Sequence, residues 1–163
     1  MPANPYAPQL GERVASEVIA STPARLEKLL HDMGPERANH SWAPGKWSPR
    51  QIVCHLADCE LVFAFRLRQG LAENNHIVQP FDQDAWAKTY AAYDAAAALA
   101  VFTSVRRWNV AFVKSLSPAD LRKKITHPER GEMTLQTIVD TMGGHDLNHL
   151  AQVEAASAKS QSA

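Results

Sequence analysis

Apolar side chains recur every three or four residues along four long stretches of the chain, which is the spacing of one face of an α-helix. The predicted helices cover about residues 10–33, 48–70, 94–117 and 134–156. The second helix has the clearest start, because Ser48 can cap it, Pro49 suits its first turn and Gln51 completes a capping box. Asp94 and Thr134 can cap the third and fourth helices. We find no convincing strand, so the pattern predicts an all-α domain.

The connections between these helices differ in length. Residues 71–93 form a link of about 23 residues between the second and third helices, which is too long for a simple turn. A short helical turn is expected to follow the third helix as far as Lys123, and residues 125–131 are expected to form a loop. Pro23 either kinks the first helix or begins a restarted one, and the spacing leaves both open. We therefore predict one domain over residues 1–163, a four-helix bundle with a long crossover between helices 2 and 3 and an ordered core at about 9–156.

Composition and charge exclude several classes of partner. The 163 residues include 17 Lys and Arg and 17 Asp and Glu, so no net positive field attracts nucleic acid or an acidic membrane. No stretch is long and apolar enough to span a membrane, and residues 1–8 are not expected to be a secretory signal. Cys54 and Cys59, five apart on one predicted helix, are poorly placed to pair, which suits a reducing, cytoplasmic location.

Three histidines stand in the apolar stripes where hydrophobic side chains are expected. His145 and His149 are one helical turn apart on the inner face of the last helix, a spacing that suits two ligands of one ion. His55 lies within the apolar stripe of the second helix and is the natural third ligand. Three neutral imidazoles leave a divalent ion with an open position, as in catalytic zinc sites. A single inward histidine is more often a hydrogen-bonded core residue, so a metal centre and a metal-free polar core both remain open on spacing alone.

Two segments resemble the signature segments of the DinB-like superfamily: Trp47–Glu60, which contains His55, and Gly144–Gln152, which contains His145 and His149. Residues 80–86 and 127–131 are also similar to that family, and the resemblance covers roughly residues 10–154. It implies a four-helix bundle, often dimeric, with His55, His145 and His149 on one divalent transition metal, zinc or nickel first.

The resemblance also implies two kinds of enzyme acting on a small molecule. Some members transfer a low-molecular-weight thiol such as bacillithiol, mycothiol or glutathione, and others are described as metal-dependent hydrolases. We expect a thiol transferase first and a hydrolase second, in a cytoplasmic homodimer. A non-catalytic metal-binding bundle and a plain helical dimer with a metal-free core are the alternatives. No catalytic acid or base is assigned.

Other residues receive weaker predictions. Phe81, Asp82 and Trp86 are expected to line the mouth of a substrate pocket if the crossover passes over the metal, or else to pin the crossover to the core. Both cysteines are expected to be apolar filler and not ligands. Asp58 and Glu60 could orient His55 or accept a proton, although carboxylates are common on helix surfaces, and Gln152 could orient His149. A loop containing His127, Glu129 and Arg130 could cover the cleft, whereas three further histidines are expected to be solvated: His31, His40 and His76.

Overall fold

Four long helices form the body of the protein in a computed structural model that describes residues 3–159. The helices are α1 (Ala7–Leu10), α2 (Ala15–Met33), α3 (Pro35–Ala38), α4 (Pro49–Ala72), α5 (Gln83–Ala87), α6 (Ala95–Ser115), α7 (Pro118–Leu121) and α8 (Leu135–Lys159). The prediction of a four-helix bundle is confirmed, with α2, α4, α6 and α8 as its members. The predicted domain also includes residues 1–2 and 160–163, which lie outside the described residues.

The start of α4 follows directly from its first residues. The Ser48 hydroxyl accepts a hydrogen bond from the Gln51 backbone N–H, and the Gln51 side chain accepts one from the Ser48 backbone N–H. Pro49 occupies the first turn, where no backbone donor is needed. This capping box fixes the register of α4 two turns before His55.

Each of the four long helices packs against two of the others. Helix α4 packs on α6 and α8, and α2 packs on the same two helices. The predicted stripe of α8 is buried in full: Leu135, Ile138, Val139, Met142, His145, His149 and Val153. The α4 stripe is also inward at Ile52, His55, Leu56, Cys59 and Phe63. Since both stripes face the same interior, the two histidine-bearing segments meet there.

The crossover between α4 and α6 is structured. It contains α5 and a short 3-10 helix at Tyr90–Ala92. The Arg50 guanidinium donates to the backbone carbonyls of Tyr90 and Tyr93, which ties the end of the crossover to the first turn of α4. The crossover therefore lies against the helix that carries His55.

A small β-hairpin replaces the predicted loop before α8. Strands β1 (Lys124–His127) and β2 (Gly131–Thr134) pair antiparallel, and the crossover joins them because the Val78 N–H donates to the Thr126 carbonyl. The expectation of no strand was wrong because Ile125 and Met133 alternate with polar residues over only four positions each. So short an alternation becomes a strand only when a neighbouring segment supplies backbone partners.

The first long helix begins at Ala15, later than the predicted start at Leu10, which instead ends the short helix α1. Gly11, at a positive φ of 56°, ends α1, and α2 begins at Ala15. Pro23 lies inside α2, which continues through it to Met33, so this structure answers the question that spacing left open. No helix of residues 3–159 is both long and apolar enough to cross a membrane.

Candidate metal centre

Three imidazole rings meet between α4 and α8, and we call His55, His145 and His149 the histidine centre. Their ring centroids lie 4.5 to 5.1 Å apart. The exposed fraction of each side chain is 6% or less. The Nε2 atoms of His55 and His145 are 3.0 Å apart, although the two residues are 90 positions apart in the sequence. The predicted convergence of two distant segments is therefore present.

The distance between the Nε2 atoms of His55 and His145 fits two ligands of one ion. Two ring nitrogens bound to a single tetrahedral ion, each about 2.0 to 2.1 Å from it, lie about 3.3 Å from one another. The Nδ1 atom of His145 is buried and has no hydrogen-bond partner among residues 3–159. A buried polar atom without a partner is rare in a folded protein. The atom of His145 that faces His55 is Nε2, so an ion bound there leaves Nδ1 without a partner in the described chain, and the fit to a divalent transition metal rests on the imidazole donors and the Nε2–Nε2 distance.

Burial keeps all three imidazoles neutral near pH 7. It lowers the pKa of His55 to about 3, with a smaller contribution from His149, and lowers the pKa of His149 to about 4 against an opposing effect of Gln152. Burial also lowers the pKa of His145, with contributions from the other two rings and Arg106. A neutral imidazole has a lone pair to donate to a metal, so the centre is ready for ligation.

Neighbouring side chains hold the rings in place. The Nδ1–H of His149 donates to the Gln152 side-chain oxygen at 3.2 Å, which leaves the Nε2 lone pair of His149 for a ligand role. Trp47 packs against His55 at a centroid distance of 4.9 Å, and Tyr6 packs edge-on against His145 at 5.1 Å. The prediction that Gln152 orients a histidine matches this geometry.

Tyr6 is the residue that sequence reasoning missed, because it precedes every predicted helix. A Cβ atom on Gly144 would lie 2.3 Å from the Tyr6 carbonyl oxygen. Glycine at 144 therefore allows the N-terminal segment to lie directly on α8 beside His145. The one available signal was the glycine pair 143–144 inside an otherwise good helix, which indicates close approach of another segment.

Cys59 also lies at the centre. Its sulfur is 3.5 Å from Nε2 and 3.7 Å from Nδ1 of His55. The ligating atoms of His55, Cys59 and His145 lie within 4.8 Å of one another. Burial raises the pKa of the Cys59 thiol, and the negative charge of Asp58 raises it further. Without a metal the sulfur is therefore protonated. Sequence reasoning assigned Cys59 to packing, and the geometry adds it to the candidate ligands.

The carboxylates beside the ligands serve another cluster. Arg106 is buried and forms ion pairs with Glu60 and Asp146. The Asn109 side-chain amide donates to a Glu60 carboxylate oxygen at 2.7 Å. We call these four residues the arginine network. Glu60, predicted to orient His55 or accept a proton, instead binds Arg106. Asp58 lies near Tyr90, and its charge adds to the effect of burial in raising the pKa of that phenol.

Two of the three predicted substrate residues, Phe81 and Trp86, line a groove outside the histidine centre. A groove of about 410 Å³ is lined by Leu61, Val62, Phe65, Arg66, Gln79, Pro80, Phe81 and Trp86, and we call it the aromatic groove. Phe81 and Trp86 pack together at a centroid distance of 4.9 Å. Asp82 caps α5 by accepting from the backbone of Asp84 and Ala85. Phe81 and Trp86 stay candidate substrate contacts, whereas the Asp82 carboxylate is bound to its own backbone.

The remaining histidines divide. His31 and His40 are exposed, as predicted. The expectation that His76 is solvated was wrong, because its side chain is 10% exposed and Nδ1 lies 2.6 Å from Glu73. His127, expected in a loop, lies at the end of β1 and is buried because the hairpin packs on the bundle.

Comparison with known proteins agrees with this architecture. The family model of the DinB superfamily matches residues 19–153. The chain belongs to the DinB superfamily. Two relatives, each named "Putative metal-dependent hydrolase", are similar to this superfamily member. The relative from Oceanobacillus iheyensis is 28% identical over 140 residues, and the relative from Bacillus mycoides is 26% identical over 136 residues. The match covers 83% of this chain and 79% of each relative.

A solved structure confirms the fold of this DinB-superfamily chain. YfiT from Bacillus subtilis, described as "a probable metal-dependent hydrolase with an unusual four-helix bundle topology", superimposes with a TM-score of 0.84. The two are 23% identical, and the match covers 90% of this chain and 86% of YfiT. At that identity the likeness concerns the fold.

Proposed function

We propose that this protein is a metal-dependent enzyme that transfers a low-molecular-weight thiol to a small electrophile, with His55, His145 and His149 as the metal ligands. The observation that carries the proposal is the meeting of three buried, neutral imidazoles from α4 and α8, with ring centroids 4.5 to 5.1 Å apart and the Nε2 atoms of His55 and His145 3.0 Å apart. A divalent ion bound there supplies Lewis-acid activation, which lowers the pKa of a thiol or a water. Zinc or nickel is the proposed metal.

The protein's own residues would hold the ligands and limit water. Gln152 fixes the ring orientation of His149 through Nδ1. Trp47 and Tyr6 cover the rings of His55 and His145. A water-poor surrounding strengthens electrostatic interactions at the centre.

Two of the neighbouring carboxylates are already bound to an arginine, which favours a thiol over water as the nucleophile. Metal-dependent hydrolysis in many proteins uses a free carboxylate near the ion as general base. Here Glu60 and Asp146, which are adjacent in sequence to Cys59 and His145, are both bound to Arg106. A thiol has a pKa of about 8.5 and needs less help to lose its proton.

Hydrolysis is the second candidate, because both relatives described above carry the name of a metal-dependent hydrolase. A non-catalytic metal-binding bundle is the alternative outside catalysis. It requires that protein side chains fill every ligand position. A homodimer and a cytoplasmic location stay predictions.

Metal analysis of protein purified without added nickel tests the centre. We expect about one equivalent of a divalent metal at neutral pH, and less than about a tenth of an equivalent would contradict the proposal. His149→Ala should lose the metal while keeping its helix content, since apolar stripes hold the bundle. His31→Ala, which removes an exposed imidazole from α2, is the matched control and should keep full occupancy.

Activity assays separate the two reactions. A panel of thiols with a chlorinated nitroarene should give turnover that requires both the thiol and the metal. Activated esters should give little turnover when no thiol is present. Thiol-independent hydrolysis of the esters, lost in His149→Ala, would reverse the order of the two candidates.

A further inference from the structure

Two arginines outside the histidine centre have no negative partner in the described part of the chain. Arg66 on α4 and Arg130 in the β-hairpin turn form no ion pair with any of residues 3–159. Each has a buried Nε–H without a hydrogen-bond acceptor among those residues. By contrast, Arg106 and Arg25 both bind carboxylates. A buried donor that carries charge and lacks an acceptor costs free energy, and an arriving anion would remove that cost.

The two guanidinium groups line one small recess. It has a volume of about 10 Å³, and its lining includes Phe63, Arg66, His127 and Arg130. We call it the arginine recess. That volume holds about one water-sized group, such as a single oxygen of an acid. Burial lowers the pKa of Arg66, and the charge of Arg130 lowers it further. The two cations therefore interact across the recess.

His127 adds a neutral donor to the recess. The Glu129 backbone N–H donates to Nδ1 of His127 at 3.2 Å, so the ring proton is on Nε2. Burial lowers the pKa of His127, and the charges of Arg130 and Arg66 lower it further against Glu129. Glu129 itself is exposed and forms no ion pair with Arg130 within residues 3–159. The recess is therefore cationic, with no carboxylate of the described chain bound in it.

Arg66 also forms part of the wall of the aromatic groove. One guanidinium nitrogen of Arg66 donates to the Gln79 carbonyl at 2.8 Å, and the guanidinium lies 5.9 Å from the centroid of the Phe81 ring. The groove, of about 410 Å³, is otherwise lined mainly by apolar side chains such as Phe65 and Trp86. A small molecule with an apolar body in the groove and an acidic group beside Arg66 would contact both the groove and the recess.

The recess lies close to the histidine centre. Phe63 lines the recess, and its ring centroid is 6.0 Å from that of His145. Arg66 follows Cys59 by seven residues, about 10 Å along the axis of α4, and helical side chains lean toward the N-terminus, here toward His55. A molecule of about that length could contact both sites.

We infer that Arg66 and Arg130 form a binding subsite for the carboxylate or phosphate group of a small organic molecule whose apolar body lies in the aromatic groove. Two guanidinium groups suit this recognition because each presents several donors in a fixed plane. The role of this molecule as the enzyme's substrate or thiol rests on the proposed function. The anion binding itself does not depend on metal.

Nitrogen-15 NMR of the arginine Nε–H groups tests the inference on the full chain, with sodium benzoate, inorganic phosphate and benzamide as probes. Benzoate should shift the Arg66 and Arg130 signals saturably with a Kd of about 1 mM or tighter. Phosphate should act on the same two signals with weaker affinity, since it has no ring for the groove. Benzamide has the shape of benzoate without its charge and should bind at least about tenfold more weakly.

Charge variants supply the control. Arg130→Gln should weaken benzoate binding about tenfold or more, and Arg130→Lys should restore part of the affinity. Arg107→Gln makes the same charge change at an exposed position of α6 and should leave the Kd within about twofold. Equal binding of benzamide, an equal effect of Arg107→Gln, phosphate binding without benzoate binding, or no saturation by either anion would each overturn the inference.

The same titration on His149→Ala separates this inference from the proposed function. Benzoate should bind that variant as it binds the unaltered protein. If metal analysis failed while Arg130-dependent benzoate binding held, only the proposed function would be lost. If the metal bound and benzoate did not, the anion subsite alone would be wrong.

Discussion

The histidine centre and the arginine network are two buried polar clusters built on the same helices. Cys59 lies beside the centre and the next residue, Glu60, belongs to the network. His145 and Asp146 divide in the same way on α8. Adjacent residues of a helix point about 100° apart, so one stretch of each helix serves both clusters. The two clusters are about equally buried but differ in how their polar atoms are satisfied.

The arginine network satisfies its own charges. Arg106 donates to Glu60, to Asp146 and to the Ile19 carbonyl, and so joins all four helices of the bundle. Its Nε is the exception, with no partner among residues 3–159. In the histidine centre, two ring nitrogens face each other and His145 Nδ1 has no partner. Burial of polar groups therefore does not identify a functional site by itself, and what sets the histidine centre apart is that two neutral ring nitrogens with lone pairs face each other.

Breaking the network should have the largest effect on folding. Arg106→Met leaves Glu60 and Asp146 buried with no cation, which should lower the free energy of unfolding by about 3 to 5 kcal/mol. Urea denaturation followed by circular dichroism measures the change. Arg107→Met, at the next and exposed position of α6, should change it by no more than about 0.5 kcal/mol. A loss below about 1 kcal/mol in Arg106→Met would show that the network does not hold the bundle.

Acid should destabilise the metal-free protein through the buried imidazoles of the histidine centre. The folded-state pKa values of His55 and His149, about 3 and about 4, lie below the ordinary 6.5. Between these values the unfolded chain binds more protons than the folded one, so stability is complete above about pH 6.5 and falls as the pH falls. The metal-free protein should lose about 2 to 4 kcal/mol from pH 7 to pH 5.

Urea midpoints at the two pH values, measured with a chelator, check this expectation. His149→Ala removes one of the buried imidazoles and should reduce the pH dependence. His31→Ala removes an exposed one and should leave it unchanged. Equal midpoints at pH 7 and pH 5 would mean that the buried rings are not held neutral by the fold.

The N-terminal segment that covers the histidine centre should be displaced by a methyl group added at Gly144. Gly144→Ala places a Cβ 2.3 Å from the Tyr6 carbonyl, so the N-terminal segment must move away from His145. We expect a loss of about 1 to 3 kcal/mol in the free energy of unfolding. In a chain without residues 1–9, the same substitution should instead stabilise α8 by up to about 1 kcal/mol, because alanine favours helix. Destabilisation of equal size in both chains would rule out contact with Tyr6 as its cause.

Removal of the Cys59 side chain should have the smallest effect of these changes. It tests whether a fourth protein ligand occupies the metal. The sulfur lies almost equally far from both ring nitrogens of His55, which places it beside the ring and off the Nε2 lone-pair axis. Cys59→Ala should therefore keep the metal Kd within about threefold, as should the matched control Cys54→Ala. A tenfold loss in Cys59→Ala alone would make the sulfur a fourth ligand and favour the non-catalytic bundle.

The sequence predicted the bundle and the convergence at its centre because both depend on local pattern. The capping box depends on Ser48 and Gln51, three residues apart, and the stripe of α8 depends on apolar residues that recur every three or four positions. A histidine in an apolar stripe is visible in the same pattern. The ligand role of the three histidines stays a prediction, although their meeting point is where the stripes placed it.

What escaped prediction depends on partners far away in the chain. On α6 the expected apolar face also buries Arg106 and Asn109, whose partner Glu60 lies on α4. Nothing near Arg106 in the sequence marks it as inward. The β-hairpin likewise depends on the Val78 segment, about 50 residues earlier, for backbone hydrogen bonds. Tertiary pairing determined these features, and local propensity did not.

Chain order has a consequence for when the centre can form. His55 lies on α4, whereas His145 and His149 lie on α8, which follows all the other helices in the chain. During synthesis α4 leaves the ribosome well before α8, so His55 is present before His145 and His149 have been synthesised. The three rings come together only after the last helix docks, and metal capture should therefore follow folding of the bundle instead of guiding it.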